Sequence, residues 1–109
     1  MTIFACEPAG ALDAIDSVRQ NRIVPMPNPN TLADGLRTSL GELTLPILRR
    51  SVTGFFVVEE EEIVQALQFA YERPKLVVEL SSALRWFRCS DKNLNLSASG
   101  WAWCLLEGM

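Results

Sequence analysis

The 109 residues are 49% hydrophobic and 21% charged, a globular composition with enough apolar material for one small core. A net charge of -3 leaves no basic footprint, which argues against nucleic acid as a partner. No apolar run reaches the roughly 18 residues of a membrane span, and Met1-Thr2-Ile3-Phe4 lacks the basic region and apolar core of a signal peptide. Cys6, Cys89 and Cys104 are odd in number and widely spaced, and there is no histidine. A zinc site is therefore not expected; the cysteines read as reduced thiols of a cytoplasmic protein. Without histidine the commonest general base is missing, so any catalysis must use carboxylates, lysine, a metal or a bound cofactor.

Ile3-Phe4-Ala5-Cys6 suits a strand buried on both faces, as in a parallel sheet, and Glu7-Pro8 ends it. A parallel strand needs a neighbour and none precedes this one, so the chain is expected to be a piece of something longer. From Ala9 to Gln20 the spacing of Ala11, Ala14, Ile15 and Val18 predicts a helix. Glu7 and Asp13 flank the turn from strand to helix, where ligands of open α/β sheets usually bind. Two readings stay open for them: oxygen ligands of a hard cation, or acids favoured by the helix dipole.

Asn21 to Asn30 is a loop rich in proline and asparagine. Thr31 can cap a helix through Leu32, Leu36 and Leu40, with Asp34 at its third helical position. Gly35 sits oddly inside that helix, where it costs about 1 kcal/mol against alanine. Either a ligand or another backbone approaches it closely, or the glycine is merely tolerated. Glu42 to Arg50 starts another helix, with Pro46 in its first turn, and Phe55-Phe56-Val57-Val58 reads as a second buried strand. Glu59 to Glu62 opens a helix carrying Ile63, Leu67 and Ala70, and negative charge in a first turn explains the four acids without a cation. Arg73-Pro74 interrupts that helix. Lys75 to Glu79 is an apolar segment closed by one carboxylate. Glu79 is either a partly buried acid or a surface glutamate. After Leu84 periodicity is lost, and Trp101 to Leu106 is apolar but too short to span a bilayer.

Four stretches together resemble one family. They are Ile3-Phe4-Ala5-Cys6-Glu7-Pro8, Thr31-Leu32-Ala33-Asp34-Gly35-Leu36 with Leu40-Gly41, Phe55 to Ile63, and Arg73-Pro74-Lys75-Leu76-Val77-Val78-Glu79-Leu80-Ser81-Ser82-Ala83. In order and spacing they are similar to the serine racemase and threonine dehydratase family of pyridoxal-phosphate enzymes, of the tryptophan-synthase-like fold type II. The resemblance implies an α/β fold, a partial three-layer sandwich from the large cofactor-binding domain, over residues 1–84, with a divergent tail at 85–109. It also implies roles. Glu7, the carbonyl of Ala11, and Asp13 would bind Mg²⁺ or Ca²⁺; Gly35 and Glu79 would line the pyridoxal phosphate; Lys75 would approach an ATP effector site.

The resemblance further implies a hydroxy-amino acid substrate, dehydration or racemisation, and a homo-oligomer for the full-length enzyme. The chain departs from the family pattern at Leu80, where a proline is usual, and from Arg85-Trp86-Phe87-Arg88 onward. The lysine that carries the cofactor and the glycine-rich phosphate loop belong to the part of the family fold before this chain begins. No catalytic residue is therefore assigned, and the expectation is a fragment inactive alone. The alternative is a non-catalytic product that associates with full-length subunits or misfolds.

Overall fold

The computed structural model describes residues 2–84 and the backbone of a strand at 103–105; Met1 and most of the tail lie outside the described residues. The expectation of a divergent, non-family tail at 85–109 falls mainly on those undescribed residues.

Strand β1, Ile3–Pro8, is the centre of a three-stranded sheet ordered β2-β1-β3, and both its neighbours run parallel to it. β2 is Gly54–Val58, in register with Cys6 opposite Phe56 and Pro8 opposite Val58. β3 is Trp103–Leu105, and Phe4 pairs with Cys104. Central position explains the composition of β1: with neighbours on both edges and helices on both faces, Ala5, Cys6, Glu7 and Pro8 are all buried. Pro8 stands last in the strand, where its missing N–H costs the ladder least.

Helices α1, Asp13–Gln20, and α2, Thr44–Ser51, pack through Ala14, Leu40, Leu45 and Leu48 into a core that also receives Phe55. Helix α3, Glu60–Glu72, closes the other face, where Cys6, Ala33, Leu36, Val58, Ile63 and Leu84 meet Phe56 and Leu80. Adjacent strand residues point to opposite faces, so Cys6 belongs to the α3 core while Glu7 points toward α1. α3 starts with a capping box, Glu59 accepting from the backbone of Glu62 while the Glu62 carboxylate accepts from the Glu59 N–H. It ends at Glu72, before Arg73-Pro74. Pro46 lies in the first turn of α2, where no intrahelical donor is needed.

Two expectations are corrected. The helix expected from Ala9 begins only at Asp13, because Ala9-Gly10 form a turn in which the Ala11 N–H bonds to the Pro8 carbonyl. The helix expected from Thr31 to Leu40 is a single 3-10 turn, Asp34–Leu36. Local bonds compete with helix there: the Thr31 hydroxyl accepts from the Ala33 N–H, and the Asp34 carboxylate accepts from the Gly35 N–H. Where the sequence left alternatives open, residues 75–79 form no regular element, and Lys75 takes a left-handed φ of 60°. Glu79 is exposed, which decides against the partly buried acid.

Candidate functional site

Residues at the carboxyl ends of β1 and β2 are held by acids that reach across the fold. Glu7 is the last residue but one of β1 and is only 5% exposed. Its Oε1 accepts from the Ala14 N–H and its Oε2 from the Ile15 N–H, both at 3.0 Å. These are unpaired donors of the first turn of α1, so one carboxylate ties strand end to helix start. Asp13, equally buried, uses Oδ2 to accept from the Leu40 N–H at 2.9 Å, 27 residues away. Burial pushes the Glu7 carboxyl up to about 7; the two backbone bonds oppose the rise, and the charges of Asp13 and Asp16 add to it. Burial also raises Asp13, against the bond from Leu40. Among the described residues no cationic side chain offsets either shift.

Two buried carboxyls, each with a raised affinity for a proton, have two ways to lower their energy: take up the proton, or take up a cation. Glu7, Asp13 and the neighbouring backbone of buried Ala11 are all oxygen donors, the chemistry that suits a hard divalent ion. Among the described residues no three acidic, cysteine or histidine side chains converge. A site here would therefore need carbonyl or water ligands beside the acid pair.

A second cluster forms where residues 31–40 meet residues 79–84. Segment 31–40 places Ala33 and Leu36 in the α3 core and Leu40 in the α1–α2 core, so it crosses the carboxyl edge of the sheet. Hydrogen bonds hold it along its length. The Asn30 N–H bonds to the Gly10 carbonyl; the Leu32 N–H bonds to Glu60 Oε2 at 2.8 Å; Arg37 donates twice to the Thr31 carbonyl; and Leu40 bonds to Asp13. Gly35 is thereby presented to Glu79 and Ser81. A Cβ at Gly35 would lie 2.8 Å from Glu79 Oε1 and 3.2 Å from Ser81 Oγ. The open side-chain space is what lets the acid and the hydroxyl approach.

The structure thus brings Gly35 and Glu79 together, and Glu7 with Asp13, while Lys75 stands exposed outside both groups. Sequence reasoning missed four residues. Gly10 is one: a Cβ there would sit 1.7 Å from the Asn30 carbonyl oxygen. Its signal was a glycine just beyond a strand-ending proline. Ser17, fully buried, accepts from the Val24 N–H and anchors the following loop. Glu60 was hidden among four acids, and Ser81 lies in a matched stretch with no local feature to set it apart.

Comparison with known proteins decides the family. The family model described as "Pyridoxal-phosphate dependent enzyme" matches residues 1–99. The chain belongs to this family. It is 46% identical over 82 residues to serine racemase of Arabidopsis thaliana, covering 75% of this chain and 25% of that protein. L-threo-3-hydroxyaspartate ammonia-lyase of Saccharomyces cerevisiae is 40% identical over 83 residues, covering 75% of this chain and 26% of that protein. Among solved structures, maize serine racemase superposes with a TM-score of 0.79 at 38% identity over 89% of this chain and 30% of that one. A threonine deaminase from T.th. gives 0.78 at 39% identity over 84% and 30%. These are fold type II enzymes, so the α/β fold with its parallel sheet is theirs. The chain spans about a quarter of the length of most of the curated relatives it matches. No helix among the described residues is long and apolar enough to cross a membrane.

Proposed function

We propose that this chain forms part of the cofactor-binding domain of an enzyme acting on small hydroxy-amino acids, by dehydration with release of ammonia or by racemisation. The observation that carries this is the meeting of Gly35 with the Glu79 carboxylate within a chain whose relatives are a serine racemase, an ammonia-lyase and a threonine deaminase. An exposed carboxylate over a residue without a side chain fits the edge of a flat pyridine ring. Pyridoxal phosphate, when bound, supplies the electron sink that makes the substrate Cα–H acidic. The chain's own contribution is a wall: Gly35 allows close approach, Glu79 presents negative charge, and the bonds to Glu60 and Asp13 hold the segment still.

On the other face of the sheet, Glu7, the Ala11 carbonyl and Asp13 bind Mg²⁺ or Ca²⁺ in this reading, and the uncompensated burial of the two acids supports it. Lys75, exposed beyond the end of α3, is the residue that would meet the phosphates of an ATP effector. The complete enzyme is a cytoplasmic homo-oligomer in this reading, and the 109 residues alone are inactive. A second reading has one observation in its favour: Val77 is 92% and Leu43 86% exposed, apolar surface suited to association with full-length subunits.

The test supplies pyridoxal phosphate, Mg²⁺ and L-serine to two proteins: the whole product of the gene, and these 109 residues. D-serine, or pyruvate with ammonia, is expected from the first and neither from the second. No product from the whole protein with serine or threonine would sink the enzyme reading. Product from the 109 residues would overturn their inactivity.

A further inference from the structure

We propose that Ser81 is a positioning residue that holds the Glu79 carboxylate in one orientation against Gly35. The inference rests on the reading of Gly35 and Glu79 as a cofactor wall. It is carried by three observations on two separate segments.

First, Ser81 is 6% exposed although it lies close to an exposed glutamate. A buried hydroxyl needs a partner, and the Ser81 Oγ–H donates to Glu79 Oε1. Second, the main chain of Glu79 is fixed independently of its side chain. Its carbonyl accepts from the Ser82 and Ala83 N–H groups at 3.0 and 3.1 Å, which starts the helical turn at 80–84. That turn is anchored by Leu84, fully buried in the core of Cys6, Val58 and Ile63. Third, Gly35 leaves open the space into which Glu79 Oε1 and Ser81 Oγ both reach.

An exposed glutamate ordinarily samples many rotamers, and fixing it costs side-chain entropy. Here the backbone is held by the turn, and one carboxylate oxygen, Oε1, both accepts a charge-assisted bond from a buried donor and lies against Gly35. A carboxylate restrained at its backbone and at one oxygen is pre-organised, so a pyridine-containing ligand arriving at it does not bear the cost of ordering it. Neither Ser81 nor Gly35 engages the other oxygen, Oε2, which in this proposal meets the ligand. Ser81 acts through Glu79 and need not touch the ligand itself.

Two readouts on the full 109-residue chain test this. The first needs no ligand: nuclear Overhauser effects between the Glu79 γ-methylene and the Gly35 α-protons. They are expected in the wild type, abolished in Ser81→Ala, and restored in Ser81→Thr, which keeps the hydroxyl. The second is equilibrium binding of pyridoxal phosphate itself, expected to weaken roughly tenfold in Ser81→Ala and to recover in Ser81→Thr. Overhauser effects unchanged in Ser81→Ala, or absent in the wild type, overturn the positioning role whatever the binding. If Ser81→Ala abolishes them in a chain that never binds pyridoxal phosphate, the positioning role stands and the cofactor wall is defeated. Should Ser81→Ala fail to fold, Glu79→Ala at the exposed partner is the second variant. It is expected to shift the Ser81 and Gly35 resonances while the fold is kept, and resonances left unmoved would overturn the proposal.

Discussion

Glu7 and Glu79 each close an apolar run, yet they end in opposite circumstances. Glu7 is buried, both its oxygens are bonded to the backbone of α1, and burial lifts its carboxyl to about 7. Glu79 is exposed, and one oxygen meets a single side-chain hydroxyl beside a glycine. The path of the chain beyond each residue makes the difference. After Glu7 it turns through Pro8 to Leu12 before α1 begins, and that turn folds the helix start back onto the carboxylate. After Glu79 the helical turn starts at once, so the side chain is left at its rim. The first acid serves the architecture, and its charge has to be compensated. The second is held at the surface, where a ligand can reach it.

The largest expected effect breaks the architectural side of the comparison. Gly10→Ala puts a Cβ 1.7 Å from the Asn30 carbonyl oxygen, and backbone on both sides leaves no cheap relaxation. Loss of about 3 kcal/mol or more is expected in urea unfolding, with the Asn30–Gly10 hydrogen bond broken. A midpoint within experimental error of the wild type would show that the turn does not fix loop 21–30.

Glu7→Gln comes next. An amide offers one acceptor oxygen where the carboxylate offers two, so an NH₂ group would face the Ala14 or Ile15 N–H. A destabilisation of about 1–3 kcal/mol is expected by the same unfolding measurement. An equally stable variant would mean that one backbone bond suffices and that the second is incidental.

The smallest effect on stability falls on the exposed side. Gly35→Ala crowds the end of a flexible side chain rather than backbone, so unfolding is expected to shift by no more than about 1 kcal/mol. Pyridoxal phosphate binding is nevertheless expected to weaken, because Glu79 is pushed from its place. Equal affinity would separate Gly35 from the cofactor. A large loss of stability would place Gly35 with Gly10, as architecture.

The same contrast marks how far the residues could be read in advance. β1, β2 and α3 were legible because each has a short apolar or amphipathic pattern bounded by glycine, proline or a capping acid. The segment from Thr31 to Leu40 was not. Leucines at 32, 36 and 40 imitate one helical face, but Leu36 and Leu40 enter different cores and Leu32 is 50% exposed. Long-range bonds to Asp13 and Glu60 hold that segment open, and such partners carry no local signal. β3 was missed because a three-residue parallel strand is too short to show a period. For the candidate site, Glu7, Asp13, Gly35 and Glu79 were singled out through family resemblance. Gly10 matters through Asn30, and Ser81 through the approach of Gly35 to its bond with Glu79, neighbours that only folding brings near.

The acid pair supplies the most direct test of the proposal that Glu7, the Ala11 carbonyl and Asp13 hold a divalent cation. Raising a buried carboxyl from its ordinary 4.5 to about 7 means that the folded state binds the proton more tightly than the unfolded state. That contribution is fully present below the unfolded value and is lost as pH rises through the window up to about 7. Without divalent cations the melting temperature is therefore expected to fall from about pH 5 to about pH 8. At the upper end of that range, Mg²⁺ or Ca²⁺ is expected to restore it in the wild type and not in Asp13→Ala. A melting temperature there that ignores both cations would contradict the claim and leave Glu7 and Asp13 as structural acids alone.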